Sequence, residues 1–279
     1  MSVGDRPVGV GGAKPRTMLA LLLLHRGTVV PVDTLVSALW GERPPPGALS
    51  ALRAYVSRFR AACEAVGEPR RLHFRDGGYR LDLADAELDA ARAEQAVTAA
   101  RGAAAEQALP LLEEALGLWR GDALAEFADL DDARAEAARL AELRVGAVED
   151  RAGALLALGR AGVAVPDLEA LVGHDPHRER AVVLLMRSLY ATGRQSDALA
   201  AFHALRHRLD DDLGVAPAEQ ARELYRRILD QDPALAPPPV PAPGNLPRRA
   251  AGFVGRAHEL AAVSVALGRL ALVTLTGVG

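Results

Sequence analysis

The sequence predicts a mainly α protein, with a small α+β domain over residues 1–83 followed by an all-α domain over residues 88–235. Three observations support this class. The first segment holds three helix patterns and an alternating hairpin pattern, the second is rich in Ala and Leu and contains a repeat, and the net charge changes sign between them. Aromatic residues make up only 4% of the chain, which favours helices over extensive sheets.

Two helices are predicted near the start of the first domain. The apolar run Thr17–Leu24 predicts a buried helix, and Val32–Gly41 predicts a second one, which Asp33 is placed to cap and Gly41 to end. The turn that follows is stiffened by three prolines, Pro44, Pro45 and Pro46.

The third helix, Ala48–Val66, has two chemically different sides. Its apolar stripe is formed by Leu52, Val56, Phe59 and Cys63. The remaining arc carries polar and basic residues, Ser50, Arg53, Ser57, Arg58 and Arg60. The first acidic residue, Glu64, comes only at the far end. Such a helix can enter the major groove of DNA, where arginine pairs with guanine and serine binds phosphate. A solvated basic face is the alternative interpretation.

A short hairpin follows this helix. The segments Arg71–Arg75 and Tyr79–Leu83 alternate polar and apolar residues, and Asp76-Gly77-Gly78 between them predicts a turn. A helix, a turn, a basic helix and a basic hairpin form the order of a winged helix. In this order Arg75 lies near the hairpin tip, where it can reach a minor groove, and His73 can meet a phosphate.

The charges divide along the chain. Residues 1–83 carry 12 Lys/Arg and 7 Asp/Glu, whereas residues 84–235 carry 17 Arg and 28 Asp/Glu, within an overall net charge of −3. A basic first domain followed by an acidic second domain predicts a polyanionic partner for the first domain only. Random scatter of the charges is the alternative.

The second domain contains an internal repeat. Leu158-Gly159-Arg160 recurs as Thr192-Gly193-Arg194, so that the two glycines are 34 residues apart. At the same offset Ala164 corresponds to Ala198, and Leu171 to Leu205. Paired helices with this period are typical of tetratricopeptide repeats. A helical bundle without repeats is the alternative.

Beyond residue 235 the composition changes twice. Residues 236–252 open with five prolines in nine residues and predict a semi-rigid linker. Residues 253–279 hold Phe253-Val254-Gly255-Arg256 and end with a strand pattern running into Gly277 and Gly279. This resembles the entry to an NB-ARC-type ATPase, but a Gly-Lys-Ser/Thr phosphate loop does not follow within the sequence. We therefore expect a truncated ATPase start and assign no nucleotide site or cofactor.

Several of these stretches together resemble the SARP-type activators, the antibiotic regulatory proteins of actinomycetes. In the first domain the resemblance is carried by Gly11–Arg16, Leu19–Leu24, Val32–Gly41, Ala54–Arg60 and Gly78–Leu81. In the second domain it is carried by Ala115–Gly121, Ala133–Asp150, His177–Arg180 and Asp212–Pro217. The match spans about residues 8–235. It implies an OmpR-like winged helix followed by a bacterial transcriptional activator domain.

The resemblance also implies roles and partners. The helix from Ala48 would be the recognition helix, with Arg58 as the leading base reader and Ser57, Arg53 and Arg60 on phosphates or neighbouring bases. Arg75 would be the arginine of the wing. The loop that such activators often offer to RNA polymerase corresponds here to Glu42, Arg43, Pro44, Pro45 and Pro46. Family members typically bind direct repeats near promoters as dimers and recruit the polymerase.

Two other functions are compatible with the same sequence. The alternatives are a sensor and output fragment of an NB-ARC-type ATP-dependent switch, and a tetratricopeptide-like scaffold for protein interactions. An enzyme is not expected, because His174 with His177 and His203 with His207 lack a third metal ligand at suitable spacing.

The single cysteine, Cys63, excludes a disulfide framework and fits a reducing, cytosolic compartment. The apolar run Met18–Leu24 is far too short to span a bilayer, so no membrane segment is expected. For a DNA-binding regulator we expect a cytoplasmic, nucleoid-associated protein.

Overall fold

The computed structural model describes residues 2–3, 6–7 and 11–235, with side chains from residue 11 onward. The expected linker at 236–252 and the ATPase-like segment at 253–279 lie outside the described residues.

The described residues form ten α-helices and five short strands. The helices are α1 (Ala13–Leu24), α2 (Val32–Trp40), α3 (Ala48–Ala65), α4 (Asp89–Arg101), α5 (Ala105–Gly117), α6 (Asp131–Ala157), α7 (Ala161–His174), α8 (Glu179–Ala191), α9 (Gln195–Leu213) and α10 (Glu219–Leu229). The strands are β1 (Ser2–Val3), β2 (Arg6–Pro7), β3 (Val30–Pro31), β4 (Leu72–Arg75) and β5 (Gly78–Leu81). The predicted class, a winged helix followed by an all-α region, is confirmed.

Helices α1, α2 and α3 enclose one hydrophobic core with the sheet. The predicted apolar stripe of α3 is buried there, as Leu52 and Phe59 are only 1% and 2% exposed. Met18 and Leu22 of α1 are completely buried in the same core. Because the stripe is anchored on this side, the opposite side of α3 faces outward.

The wing belongs to a three-stranded antiparallel sheet in the order β3-β5-β4. Its backbone approaches β3 very closely at Gly78, where a Cβ atom would lie 2.3 Å from the carbonyl oxygen of Val30. Only glycine fits this position without moving a strand. The tight turn is completed by Asp76 and Gly77, which both adopt positive φ angles.

Helix α2 ends where the sequence predicted, but its N-terminus is capped differently. Gly41 ends the helix with φ at +74°, the left-handed region that glycine tolerates. The predicted cap is wrong, because Pro31 occupies the N-cap position and Asp33 forms no capping hydrogen bond. Asp33 lies inside the first turn instead, where its charge still favours the positive end of the helix dipole.

The 34-residue repeat corresponds to two equivalent helix endings. After α6, the N–H of Gly159 donates to the carbonyl of Leu156 at 3.1 Å, and that of Arg160 donates to Leu155 at 2.8 Å. After α8, the matching bonds of Gly193 and Arg194 measure 2.9 Å and 2.8 Å. Both endings are Schellman motifs, which reverse the chain into the next helix.

The positions matched by the repeat are also equivalent in packing. Ala164 and Ala198 are 1% and 0% exposed, and Leu171 and Leu205 are also buried. The small alanines allow neighbouring helices to approach closely. The pairs α6–α7 and α8–α9 therefore repeat one unit, as the period predicts.

A buried carboxylate fastens α6 to the start of α8. Glu149 is completely buried, and Arg178 donates to it through Nε and Nη2 at 2.7 Å and 3.2 Å. Arg180 adds a third hydrogen bond at 3.3 Å. The hydrogen bonds that Arg178 itself makes to Glu149 and Glu142 raise its pKa, and the bond to Glu149 is the largest cause. The carboxylate is thus fully compensated despite its burial.

Candidate nucleic-acid interface

Helix α3 presents its outward side as a narrow ridge with basic flanks. With 3.6 residues per turn, the residues opposite the buried stripe are small: Ser50, Ala54, Ser57 and Ala61. Arg53 and Arg60 lie on the flank beside the wing, and Arg58 lies on the other flank, beside α2. All three arginines are exposed. A low ridge between two basic flanks suits a groove bordered by phosphates on both sides.

Arg58 is held by a row of aromatic and basic side chains. Its guanidinium carbon lies 5.1 Å from the centre of the Tyr55 ring, and its Nε donates to the Ala54 carbonyl at 3.4 Å. Tyr55 stacks on Trp40 with 6.2 Å between ring centres, and Lys14 Nζ lies 4.7 Å from the Trp40 ring. These cation–π contacts orient Arg58 while leaving it exposed.

Arg60 connects the helix to the wing. Its Nε donates to the backbone carbonyl of Leu72 in β4 at 3.1 Å, and the rest of the guanidinium remains exposed. Arg53, one turn earlier on the same flank, is also exposed and forms no ion pair with any described residue. Arg53 is therefore the more available of the two for a phosphate.

The wing places its two predicted residues differently. Arg75 is exposed at the tip, opposite Gly78 in the β4–β5 register. His73 is half-buried, with Nε2 at 3.1 Å from the Arg70 carbonyl oxygen and at 3.3 Å from an Asp82 carboxylate oxygen. Arg75 is free to reach DNA, whereas His73 must leave these neighbours before it can meet a phosphate.

One exposed wing residue was not among the predicted site residues. Phe74, next to Arg75, is 56% exposed and contacts the Tyr79 ring edge-on at 5.2 Å between ring centres. It lines a slot of about 280 Å³ between the wing and α3, together with Leu49 and Arg53. The alternating segment Leu72-His73-Phe74 could have indicated this exposed residue. Alternate side chains of a strand point to the same face, so Phe74 lies on the same face as the buried Leu72 but nearer the hairpin tip, beyond the core.

The loop proposed for polymerase contact is fully exposed. Glu42, Arg43, Pro44, Pro45 and Pro46 all lie on the surface. Gly41 and Gly47 bound the loop with positive φ angles, and the N–H of Ala48 donates to the Pro45 carbonyl at 3.1 Å. The loop therefore lies on the surface immediately before α3, and this hydrogen bond joins it to the start of the helix.

Residues 11–235 contain no group of three His, Cys, Asp or Glu side chains suited to a metal ion. His177 pairs with Asp212 at 2.8 Å, and His203 lies 3.3 Å from the Tyr225 hydroxyl. Among the described helices, none is long and apolar enough to cross a bilayer.

Comparison with known proteins shows two adjoining matches. The model of the bacterial transcriptional activator domain matches residues 88–229, and that of the C-terminal domain of transcriptional regulatory proteins matches residues 11–81. The first of these covers half of the chain. The model of the C-terminal regulatory domain matches the winged helix, and the activator-domain model matches the helical region that follows it.

Similar proteins are transcriptional regulators from actinomycetes. The regulatory protein AfsR of Streptomyces coelicolor is 39% identical over 90% of this chain, which spans only 26% of AfsR. The regulatory protein DnrI of Streptomyces peucetius is 36% identical over 84% of this chain and 90% of its own length.

A solved structure has the same fold. Mycobacterium tuberculosis EmbR in complex with a low affinity phosphopeptide superposes with a TM-score of 0.76 at 39% identity, covering 84% of this chain and 63% of EmbR. The winged helix and the following helical region thus match in sequence and in structure. The chain belongs to the SARP-type transcriptional activators, which join an OmpR-like winged helix to a bacterial transcriptional activator domain.

Proposed function

We propose that this regulator binds promoter DNA in a sequence-specific manner, with α3 in the major groove and Arg75 of the wing in or beside the minor groove. The observation that carries the proposal is the outward side of α3, where three exposed arginines precede the first carboxylate, Glu64. Arg58 reads a base edge, and Ser50, Arg53, Ser57 and Arg60 contact phosphates or neighbouring bases. His73 contributes a phosphate contact once it is released from Asp82.

In this proposal the DNA-reading domain spans residues 1–83 and the helical domain spans residues 88–235. Two copies bind direct repeats as a homodimer, and the Glu42–Pro46 loop contacts RNA polymerase. The target genes belong to secondary metabolism, and the protein acts in the cytoplasm, at the nucleoid. The names of the relatives, with regulators such as DnrI among them, support transcriptional control in general.

Selection from a pool of random duplexes tests DNA reading. The full chain should enrich one sequence, arranged as a direct repeat, and protect it from nuclease. The double substitution Arg53→Ala/Arg58→Ala should abolish enrichment. The double substitution Arg206→Ala/Arg208→Ala in α9 is the matched control, since both of these arginines are also exposed. Equal affinity of the wild-type chain for the enriched and scrambled duplexes would refute sequence-specific binding.

Polymerase contact needs a separate experiment. Glu42→Ala/Arg43→Ala should leave duplex affinity unchanged, because both side chains lie outside α3 and the wing, and should lower activated transcription in a reconstituted reaction. Unchanged activation by this variant would exclude the loop as the polymerase contact while leaving DNA binding standing.

A further inference from the structure

Among its described residues, the winged helix exposes two large apolar side chains, and both lie at one place. Leu49, at the start of α3, is 49% exposed, and Phe74 of the wing is 56% exposed. Both line the slot of about 280 Å³ between α3 and the wing. Neither belongs to the hydrophobic core of the winged helix. Leu49 and Phe74 therefore form an apolar surface that folding leaves uncovered.

The charged side chains around this apolar surface are basic. Arg53 and Arg60 line the same slot, and the described residues that line it include no carboxylate. Arg53 follows Leu49 by one helical turn, so that the two side chains project from the same side of α3. Both arginines are exposed. An uncovered apolar surface bordered by guanidinium groups suits a ligand with an apolar body and an anionic group at each end.

The slot also lies between the two elements proposed to enter DNA. Adjacent major and minor grooves of a duplex are separated by one sugar–phosphate backbone. When α3 occupies the major groove and the tip of the wing reaches the next minor groove, this backbone passes over the slot. Side chains alternate along a strand, so Phe74 faces the slot and Arg75 projects from the opposite face of the wing.

We propose that Leu49 and Phe74 hold one deoxyribose of the DNA backbone between the two grooves, with Arg53 and Arg60 on the phosphates beside it. A deoxyribose presents carbon–hydrogen groups and carries a phosphate on either side, which is the pattern that the slot matches. This inference rests on the proposed DNA binding and adds to it a contact that reads no base. The contact is a positioning one, because a sugar held here fixes how α3 and the wing enter their grooves.

Substitution of both apolar residues tests the contact. Leu49→Ala/Phe74→Ala should weaken binding of the full chain to its selected duplex about tenfold, because two apolar side chains no longer cover the sugar. The loss should be the same on duplexes with changed bases, since every nucleotide carries the same sugar. The salt dependence should stay unchanged, since no phosphate contact is removed. Leu213→Ala/Leu229→Ala, at positions 59% and 48% exposed in the helical region, is the matched control and should bind like the wild type.

Hydroxyl-radical cleavage locates the sugar directly. The radical abstracts hydrogen atoms from deoxyribose, so a sugar covered by the protein is protected from cleavage. At saturating concentration the wild type and the control variant should protect the backbone between the two grooves. Leu49→Ala/Phe74→Ala should lose this protection while keeping it elsewhere in the site. Leu49→Ser, which leaves the wing intact, covers the case in which loss of the Phe74 ring disturbs the hairpin, and should reduce the same protection.

Three results would overturn the proposal. The first is unchanged affinity and protection in the double variant. The second is a loss confined to one base pair, which would assign the slot to a base. The third is lost transcription activation with unchanged DNA affinity, which would assign it to a protein partner.

Failure of sequence-specific reading gives a different result. If the wild-type chain enriches no sequence, yet Leu49→Ala/Phe74→Ala binds a random duplex more weakly than the control variant does, base reading fails and the sugar contact stands. A chain that binds no duplex refutes both.

Discussion

The guanidinium group of Arg58 and the ring of Tyr55 form a cation–π pair, with 5.1 Å between the guanidinium carbon and the ring centre. The two residues are neighbours on the α2 flank of α3, and Tyr55 in turn stacks on Trp40. An arginine oriented in advance loses less conformational entropy when it binds a base edge.

Replacement of Arg58 by alanine tests base reading. We expect Arg58→Ala to cost about 1–3 kcal/mol on the selected site and to relax the choice of base at one position. Tyr55→Leu, which removes the ring beneath the guanidinium, should give a smaller loss of the same kind. Quantitative binding to a set of single-base variants provides the measurement. Equal losses on selected and random duplexes would rule out base reading by Arg58.

The wing arginine should act through charge alone. If Arg75 meets a phosphate, Arg75→Ala should lower the slope of log K against log salt concentration by about one, because one fewer counterion is released. Affinity should be measured between low and moderate salt for selected and random duplexes. Arg208→Ala, an exposed arginine of α9, should leave the slope unchanged. An unchanged slope for Arg75→Ala would contradict this contact.

The close approach of two strands predicts a severe effect of a single methyl group. Gly78→Ala should destabilise the wing by about 3 kcal/mol, because the new Cβ meets the Val30 carbonyl, a backbone atom that cannot turn aside. The neighbouring Gly77→Ala meets open space and should cost about 1 kcal/mol through its φ of +74°. Urea unfolding measures both, and an equal loss in the two variants would contradict the proposed clash.

The helical region should lose stability in acid through Asp150. Burial acts to raise the pKa of this carboxyl, but hydrogen bonds from Arg101 and Arg180 outweigh burial, and the net direction is downward. Because the pKa of Asp150 is lower in the folded than in the unfolded protein, its charge stabilises the fold at pH values above the unfolded-state pKa of about 3.9. This contribution disappears as the pH falls through the folded-state pKa.

Comparison with a neutral variant isolates this contribution. Asp150→Asn should be less stable than the wild type at pH 7, and the difference in free energy of unfolding should shrink below about pH 4. The measurement is urea unfolding of both proteins from pH 7 to pH 3. Asp211→Asn, at an exposed position of α9, should show no such difference. A difference that stays constant with pH would show that packing, not charge, explains the loss.

Local patterns predicted most of the winged helix. The stripe of α3 and the turn at Gly77 depend on residues close in sequence, so their periodicity and composition are sufficient. Helix α1 begins at Ala13, four residues before the apolar run suggested, because Pro15 is tolerated in a first helical turn. An N-terminal turn that contains proline and polar residues leaves no apolar signal.

Contacts between distant residues could not be predicted in the same way. His73 looked available for phosphate, but its partner Asp82 lies on the neighbouring segment of the hairpin, and the register decides that they meet. The row from Lys14 through Trp40 to Arg58 joins three helices and becomes visible only when they pack. No fixed spacing of residues along the sequence predicts either of these contacts.

The matching helix endings at Gly159 and Gly193 make the helical region modular. The same reversal joins the two helices of each pair, so an inserted copy of 34 residues would present the packing surface that the neighbouring helices already fit. Insertion or removal of one such unit should therefore change the length of this arm while the winged helix keeps its shape.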